Sequence, residues 1–303
     1  MSAVTDAEPG HRAGLIAVIG RPNVGKSSLV NALVGEAVSI VAPRPQTTRH
    51  RILAIHSTPR AQFVYVDTPG LHDRRTRALD RQLLRVARGA LEGVQAVLFV
   101  VEALRFGPDD ERALAVAASA GVPILAVINK IDRVPDRKRL LPFIAELAKR
   151  HPFAALIPVS ARRAEGLRFI EEELLKLLPE CEALYPQDWF TDRSERFLVA
   201  ERIREQLMIR LRDELPYGCA VEIESFEEGD EAVRIAAVIW VERERHKGMV
   251  IGAGGRMLKE IGIAARRSIE RLLGRRTHLS LWCKVREDWA DDERALRMLG
   301  YAE

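Results

Sequence analysis

Apolar runs and helical repeats alternate along the first 180 residues of the chain. The segments 15–19, 94–101 and 122–128 have the length and β-branched content of buried strands. The segments 51–56 and 62–66 read as a strand pair joined by a turn at Pro59. Strands that alternate with helices predict an α/β fold, in which a mostly parallel sheet is covered on both faces. We therefore expect a six-stranded sheet, completed by a strand at 154–159 and by helices over 28–34, 79–91, 109–120, 137–150 and 167–178.

A second pattern follows a composition shift at 181–195, which we interpret as a linker. Helical spacing over 195–215 precedes alternating strands at 220–224 and 233–241. The chain continues with a short helical segment at 247–251, a glycine loop, a helix over 256–273 and a last strand over 277–285. This order resembles a KH domain of the bacterial type, an α+β fold. We predict a disordered tail over 1–13, a first domain over 14–180 and a second over 196–303, with its KH core at about 204–286.

The composition fits this two-domain organisation and indicates the cellular compartment in which the protein works. The 303 residues suit about two domains, and the formal net charge of +4 does not by itself indicate nucleic acid. The three cysteines, Cys181, Cys219 and Cys283, lie far apart, so they support neither a zinc site nor a disulfide framework. The first 14 residues do not resemble a signal peptide, and the longest apolar run is too short to cross a bilayer. We therefore expect a cytoplasmic protein.

A phosphate-binding motif follows the first strand directly. The sequence fits G-x-x-x-x-G-K-[ST] between an apolar run and a helical segment, the context that a P-loop requires. Its glycines allow the backbone N–H groups to approach phosphates, and the helix that begins near Lys26 favours an anion. Lys26 would reach the β- and γ-phosphates, and the Ser27 hydroxyl would ligate Mg²⁺. The predicted nucleotide contacts here are Gly20, Arg21, Pro22, Asn23, Val24, Gly25, Lys26, Ser27 and Ser28. The alternative, a chance glycine-rich turn, is disfavoured by the spacing and the flanks.

Two further motifs lie where predicted strands end, as expected for ligand contacts in open parallel sheets. Asp67-Thr68-Pro69-Gly70 follows the strand at 62–66, so Asp67 can hold Mg²⁺ through water and the Gly70 N–H can meet the γ-phosphate. In the preceding loop, 37–50, a hydroxyl of Thr47 or Thr48 would reach Mg²⁺ only while the γ-phosphate is present. That would make the loop a switch. Simple loop polarity is the competing interpretation.

The motif Asn129-Lys130-Ile131-Asp132 indicates which base the bound nucleotide carries. A carboxylate at Asp132 can accept from both N1–H and the exocyclic amine of guanine, whereas adenine offers neither donor. Asn129 can reach the purine edge, and the Lys130 stem can cover the base plane. After the next strand, Ser160 and Ala161 follow, and the Ala161 N–H can donate to guanine O6. In this order the motifs predict GTP rather than ATP.

The glycine loop of the second domain predicts a nucleic-acid contact. Gly252-Ala253-Gly254-Gly255 fits GxxG, which lets a phosphate backbone approach closely and clamps about four nucleotides. A dinucleotide loop would require a strand immediately before the glycines, and 247–251 looks helical. The stretch 243–276 carries ten basic and three acidic residues, whereas 196–303 is neutral. A solvated, ion-paired helix face is the alternative interpretation of this charge. The predicted RNA contacts are Lys247, Ile251, Gly252, Ala253, Gly254, Gly255, Arg256, Lys259, Arg266 and Arg267.

The motifs of residues 15–180 resemble the translation-factor-like branch of P-loop GTPases. In Ras-like members a water-positioning glutamine follows the glycine of the Asp-x-x-Gly motif, but here that position is Leu71, which cannot orient water. We therefore expect slow intrinsic hydrolysis, with Lys26, Mg²⁺ and backbone amides stabilising charge. Asn23 matches the position that helps bind K⁺ in related GTPases, so K⁺ stimulation is a further hypothesis.

A GTPase domain followed by a KH domain resembles the Era family, bacterial GTPases of small-subunit assembly. The resemblance spans nearly the whole chain, including Pro45–Arg49 (45–49), 191–194, 214–217 and 289–296. It implies binding of the 3′ end of 16S rRNA and of the 30S subunit in the GTP state, and for some members association with the inner membrane face. It also implies that Thr48 ligates Mg²⁺ and joins Lys26 and Gly70 in catalysis. The loop here lacks the lysine often found inside GxxG, and Arg256 and Lys259 would compensate.

Three functions compete at this point. The first is an RNA-binding GTPase switch, in which the loops at 37–50 and 68–80 gate RNA affinity. The second is a GTP-dependent modification enzyme, for which Cys219 and Cys283 lack an evident base. The third is a membrane-surface regulatory GTPase that links GTP status to cell-cycle or other protein partners. We favour the first and expect a monomer.

Overall fold

The computed structural model describes residues 10–44, 47–70 and 78–298. These residues form two compact units. The first comprises 10–39, 50–70 and 84–192, and the second comprises 40–44, 47–49, 78–83 and 193–298. The boundaries predicted at 180 and 196 stay predictions.

The first unit is a six-stranded sheet with helices between its strands. The strands are β1 (Arg12–Ile19), β2 (Ile52–Ser57), β3 (Ala61–Asp67), β4 (Ala96–Glu102), β5 (Ile124–Asn129) and β6 (Ala155–Pro158). Their order is β2-β3-β1-β4-β5-β6, and the β2–β3 pair alone among these neighbours is antiparallel. The helices that accompany them are α1 (Lys26–Val34), α2 (Ala78–Gly89), α3 (Pro108–Ala118), α4 (Leu140–Ala148) and α5 (Leu167–Leu177). The predicted mostly parallel sheet is confirmed, and the division between the units falls within α2.

Burial explains why these strands read as apolar runs. All residues of β3 and β5 are buried, as expected for strands covered on both faces. The register aligns Val18 with Asp67 and Glu102 with Asn129, so the carboxyl ends of β1, β3, β4 and β5 meet at one edge. That edge carries the predicted nucleotide motifs.

The second unit contains a three-stranded sheet and helices that pack against it. Its elements are α6 (Glu195–Arg210), β7 (Cys219–Glu228), β8 (Ala232–Val241), α7 (Glu244–Ile251), α8 (Arg256–Leu273), β9 (Arg276–Val285) and α9 (Glu293–Met298). The strand order is β7-β8-β9, with β7 antiparallel and β9 parallel to β8. The core joins α6, the sheet and α8 through buried residues such as Ile203, Ile239 and Ile261. The predicted KH fold is confirmed.

Two element boundaries differ from the predictions. We predicted that α6 would continue to residue 215, but the helix ends at Arg210. Leu211 adopts an extended backbone and is buried, and Asp213 has a positive φ of 50°. Pro216 lies inside a short 3-10 helix, Leu215–Gly218, because proline is tolerated in a first helical turn. Pro216 therefore belongs to the next element and does not mark the end of α6.

The amino-terminal strand also begins before the predicted boundary at residue 14. Arg12 and Ala13 belong to β1, and Ala13 is buried. The Arg12 guanidinium donates to the Leu178 carbonyl at 2.8 Å and to Glu180 at 2.8 Å. These contacts fix the start of the sheet against the chain that follows α5. Residues 1–9 of the predicted tail lie outside the described residues.

Within the described ranges, no helix has both the length and the apolar character that crossing a membrane requires.

Candidate nucleotide and nucleic-acid sites

The loop between β1 and α1 has a geometry that its glycines make possible. Gly25 adopts a left-handed backbone with φ 99° immediately before α1. A Cβ at Gly25 would lie 2.5 Å from Asn129 Nδ2, and one at Gly20 would lie 2.4 Å from the Val100 carbonyl oxygen. Asn23 also has a positive φ, 62°, a conformation that asparagine tolerates. The loop therefore packs its backbone where side chains would clash, and α1 starts at Lys26 with its first N–H groups beside the loop.

Lys26 and two predicted partners converge beside this loop. The buried Lys26 Nζ donates to the carbonyls of Gly20 at 2.9 Å and Arg21 at 3.1 Å. Burial lowers the pKa of Lys26 to about 8, although the charge of Asp67 opposes the shift. A Cβ at Gly70 would lie 3.3 Å from Lys26 Nζ, so the Gly70 backbone borders the same space. A bound phosphate would offset the desolvation that lowers this pKa, so the site suits an anion.

Asn129 connects the base motif to the phosphate loop. Its Nδ2 donates to the Val24 carbonyl at 2.9 Å, and its Oδ1 accepts from the Lys130 N–H at 2.7 Å and the Ala161 N–H at 3.1 Å. In this arrangement the Ala161 N–H donates to Asn129, and the donation of this N–H to guanine O6 stays a prediction. The amide therefore holds three loops together.

Asp132 is oriented by a serine from the neighbouring loop. Ser160 Oγ donates to Asp132 Oδ1 at 2.7 Å. Burial raises the pKa of Asp132, but hydrogen bonds from Ser160 and the backbone, with nearby arginines, outweigh it and hold the pKa below its ordinary value. Asp132 is therefore charged at neutral pH and can accept hydrogen bonds from a base.

The glycine loop of the second unit connects α7 to α8. Gly252, Gly254 and Gly255 all have positive φ, at 71°, 59° and 76°. A Cβ at Gly252 would lie 2.8 Å from Met257 Cβ, so this position requires glycine. Around Gly254, apart from the adjoining residues of the loop, no heavy atom of the described residues lies within 4 Å of the Cβ position. The loop is therefore open where a phosphate backbone would approach.

A groove of about 380 Å³ runs from this loop along α8 and β9. Its lining residues are Gly255, Leu258, Lys259, Gly262, Ile263, Arg266, Leu279 and Leu281. The predicted basic contacts divide into two groups. Lys247 pairs with Glu244 at 2.9 Å and Arg266 with Glu270 at 2.9 Å, as the ion-paired alternative requires.

The other basic side chains leave room for an external anion. Within the described part of the chain, Arg256, Lys259 and Arg267 are exposed and form no ion pair. They follow the glycine loop on α8, so positive charge lies beside the groove. The groove thus combines an apolar floor, an open backbone loop and available cations, the features of a site for single-stranded nucleic acid.

Comparison with known proteins identifies the family. The family model described as "50S ribosome-binding GTPase" matches residues 15–130, and the KH domain model matches residues 214–290. The curated GTPase Era of Xanthomonas axonopodis pv. citri is 54% identical over 301 residues, covering 99% of this chain and 100% of the relative. The chain belongs to the Era family of GTPases. The GTPase Era of Stenotrophomonas maltophilia strain K279a is 53% identical over 96% of this chain and 98% of its own length.

Solved structures of Era share the fold over nearly the whole chain. A crystal structure of Era in complex with MgGDPNP and nucleotides 1506–1542 of 16S ribosomal RNA has a TM-score of 0.93 and 38% identity, covering 97% of this chain and all of its own. A substituted Aquifex aeolicus Era bound to GDP and AlF4⁻ has the same TM-score and identity, with 96% and 100% covered. The predicted two-domain fold is therefore that of the Era family.

This Era-family chain contains a charged cluster that the sequence analysis missed. Glu102, at the end of β4, accepts from Lys130 Nζ at 2.8 Å and from the Arg21 guanidinium at 3.4 Å. Lys130 Nζ also donates to the Asn23 carbonyl at 2.5 Å, and Arg21 Nε donates to Asp110 at 3.1 Å. Burial raises the pKa of Glu102, but its cationic neighbours lower it below the ordinary value. The Glu102 carboxylate joins the phosphate loop to the base motif. Its position at the end of a predicted strand is the one sequence feature that could have indicated this role.

The loop 37–50 is the predicted switch, and the described residues of its segment 40–49 lie in the second unit. The buried Arg49 donates to the carbonyls of Cys219 at 2.9 Å and Tyr217 at 2.9 Å. The Arg204 guanidinium, from α6, donates to the Thr47 carbonyl and pairs with Glu201. Sequence reasoning did not find this packing, because the segment has no periodicity.

The predicted metal ligands therefore fall in two units. Ser27 and Asp67 belong to the first, whereas Thr48 is buried in the second. The magnesium role of Thr48 stays a prediction. Leu71, Pro45 and Gln46, which the motifs also include, lie outside the described residues.

The two thiols of the second unit fit structural positions. Burial raises the pKa of Cys219 to about 12 and that of Cys283 to about 11. Both remain protonated at neutral pH, where a thiolate would be required for nucleophilic chemistry. This geometry disfavours the modification-enzyme hypothesis.

Proposed function

We propose that this chain is a GTP-hydrolysing switch that binds the 3′ end of 16S rRNA and acts in assembly of the 30S subunit. The observation that carries the proposal is one chain that has both an Asp132 carboxylate oriented by Ser160 and a groove beside a GxxG loop. The likeness to the Era complex with MgGDPNP and 16S rRNA supports both ligands.

The residues of the first unit fit GTP and Mg²⁺. The glycines at 20 and 25 let the loop backbone pack where a Cβ would clash with Val100 or Asn129, and the buried Lys26 suits the β- and γ-phosphates. Ser27, Asp67 and Thr48 would hold Mg²⁺, which when bound neutralises charge that develops on the phosphates. Lys26 and the Gly70 N–H would stabilise that charge from the protein side.

We include a K⁺ ion beside Asn23 in this proposal. Asn23 is exposed, and its backbone carbonyl accepts from the Lys130 ammonium group, so this turn already attracts a cation. We expect faster GTP turnover in potassium chloride than in sodium chloride at equal concentration, measured by phosphate release. Asn23→Ala should lose the difference. Equal turnover in the two salts would remove K⁺ from the proposal.

The second unit would bind RNA through the groove beside α8. The Gly252–Gly255 loop (252–255) would face the phosphate backbone, with Arg256, Lys259 and Arg267 adding charge. Bases would lie against the apolar floor that Leu279 and Leu281 help to form. Lys247, Ile251 and Arg266 would border the same site.

Coupling between nucleotide and RNA would run through the segment 40–49. Arg49, Arg44 and Arg204 attach this segment to α6 and to residues 211–219. If Thr48 is required for Mg²⁺ in the GTP state, the same segment takes part in both sites. Nucleotide state would then change the environment of the KH fold and alter RNA affinity.

A membrane-surface role is the competing proposal, and the basic, amphipathic α8 favours it. We place the protein in the cytoplasm as a monomer, with any contact at the inner membrane face through this helix. Pelleting with vesicles of anionic and of neutral lipid tests that contact directly.

The deciding experiment is binding of a short RNA from the 3′ end of 16S rRNA, with GDP or a non-hydrolysable GTP analogue present. We expect tighter binding with the analogue. Equal binding in both states would keep the RNA site and remove the coupling. Absence of RNA binding, together with pelleting on anionic vesicles, would overturn the proposal in favour of the membrane role.

A further inference from the structure

One face of strand β9 lines the groove beside α8, and the side chains of its opposite face are exposed to solvent. Leu279 and Leu281 line the groove, and Cys283 continues the same face into the core. Side chains alternate along a strand, so Trp282 points to the other face. Because β9 is the last strand of the sheet, a chain that leaves the groove across its edge meets Trp282 next.

Trp282 differs from the other tryptophans of this unit. The Trp240 indole N–H donates to Glu222 at 2.7 Å, and that of the buried Trp289 donates to the Gly218 carbonyl at 3.1 Å. Both rings are held in place by these bonds. The Trp282 side chain is 47% exposed, and within the described residues its indole has no hydrogen-bond or ring partner. An amphipathic ring of this size is therefore presented to solvent at the rim of the groove.

The charges along β9 suit a polyanion. Arg276, His278 and Lys284 share the exposed face with Trp282, and the strand contains no acidic residue. Lys284 lies two positions from Trp282, or about 7 Å along the strand. Its Nζ pairs with Glu224 of β7 at 2.7 Å, where it is half exposed and available for exchange with a phosphate. An aromatic face with flanking cations is the usual platform for an unpaired nucleobase.

We propose that Trp282 stacks a base of single-stranded RNA that continues beyond the KH groove, around the edge of β9 and onto the outer face of the sheet. This inference rests on the proposed RNA-binding function. The groove clamps about four nucleotides, so a longer RNA must cross the rim. Any base can stack on an aromatic ring, so Trp282 would raise the affinity for longer RNAs whatever their sequence.

The test compares two RNAs from the 16S 3′ end, one of about four nucleotides and one of roughly twice that length. Trp282→Ala should weaken binding of the longer RNA about tenfold and leave the shorter one unchanged, in line with the scale of base–aromatic stacking. Trp282→Phe retains a ring and should restore most of the loss. Trp189 in the first unit is also 47% exposed, so Trp189→Phe is the matched control.

Tryptophan fluorescence gives a readout that a structural role would not move. The longer RNA should quench the wild type and Trp189→Phe, and the quench should be lost in Trp282→Phe. Unchanged affinity and quench in the Trp282 variants would overturn the inference while leaving RNA binding intact. Quenching of Trp282 by anionic vesicles and not by RNA would overturn it in favour of lipid. Failure of the wild type to bind either RNA would instead overturn the proposed function.

Discussion

Asp132→Asn is expected to weaken GDP and GTP binding by about 100- to 1,000-fold. Asp132 is charged and oriented by the Ser160 hydroxyl at 2.7 Å, so its carboxylate can accept from two guanine donors. An asparagine amide offers one acceptor and one donor, so one guanine N–H is left facing another N–H group. An unsatisfied buried donor and the loss of a charged hydrogen bond together account for this range. Titration with a fluorescent guanine nucleotide measures the change.

The same substitution should create affinity for xanthine nucleotides. Xanthine carries a carbonyl oxygen where guanine has the exocyclic amine, so the asparagine N–H can donate to it. Asp136→Asn is the matched control, because Asp136 lies in the same loop and its side chain accepts only from the Lys138 backbone N–H among the described contacts. That variant should bind GDP as the wild type does. Retained guanine preference in Asp132→Asn would show that the base lies elsewhere.

The position of the nucleotide site could be predicted because parallel strands bring distant motifs to one edge. Asp67, Asn129 and the P-loop each follow an apolar run in the sequence, and the sheet register places them together. Glu102 follows such a run too, but a single glutamate matches no motif. Its role emerges only from the register that sets it opposite Asn129, within reach of Arg21 and Lys130.

The packing of the segment 40–49 could not be predicted in the same way. Arg49 would be read as a surface arginine, yet it is buried and donates to carbonyls about 170 positions away in sequence. Those carbonyls lie in the 3-10 helix Leu215–Gly218 and at the first residue of β7, in the part of the chain that follows the end of α6 at Arg210. The end of α6 and the Arg49 contact both depend on this connection, and hydrogen bonds to backbone carbonyls leave no periodic signal in a sequence.

The GxxG loop could be predicted from the sequence, because only glycine readily adopts the backbone conformation that the loop requires. Gly252 has a positive φ and lies where a Cβ would clash with Met257, and Gly255 has a left-handed backbone just before α8. The volume and lining of the groove beside it could not be predicted from the sequence, because they depend on how α8 packs against β9. The division of the basic residues into paired and unpaired groups was likewise visible only in three dimensions.

Gly254→Asp is expected to weaken RNA binding about ten- to thirtyfold relative to Gly254→Asn. Both side chains tolerate the left-handed backbone at φ 59°, and apart from the adjoining residues no described heavy atom lies within 4 Å of the Cβ position. The two variants therefore share their backbone strain and differ by one negative charge. A charge about 5 Å from a phosphate at a protein surface accounts for this ratio after salt screening.

Fluorescence anisotropy at two salt concentrations would measure the pair of variants, with equal unfolding midpoints as the check on folding. The ratio between Asp and Asn should shrink at high salt, because the effect is a repulsion between exposed charges. Near-equal affinities at low salt would mean that no phosphate approaches Gly254. RNA would then have to bind through the apolar floor and α8 alone, and the open backbone of the loop would need a different explanation.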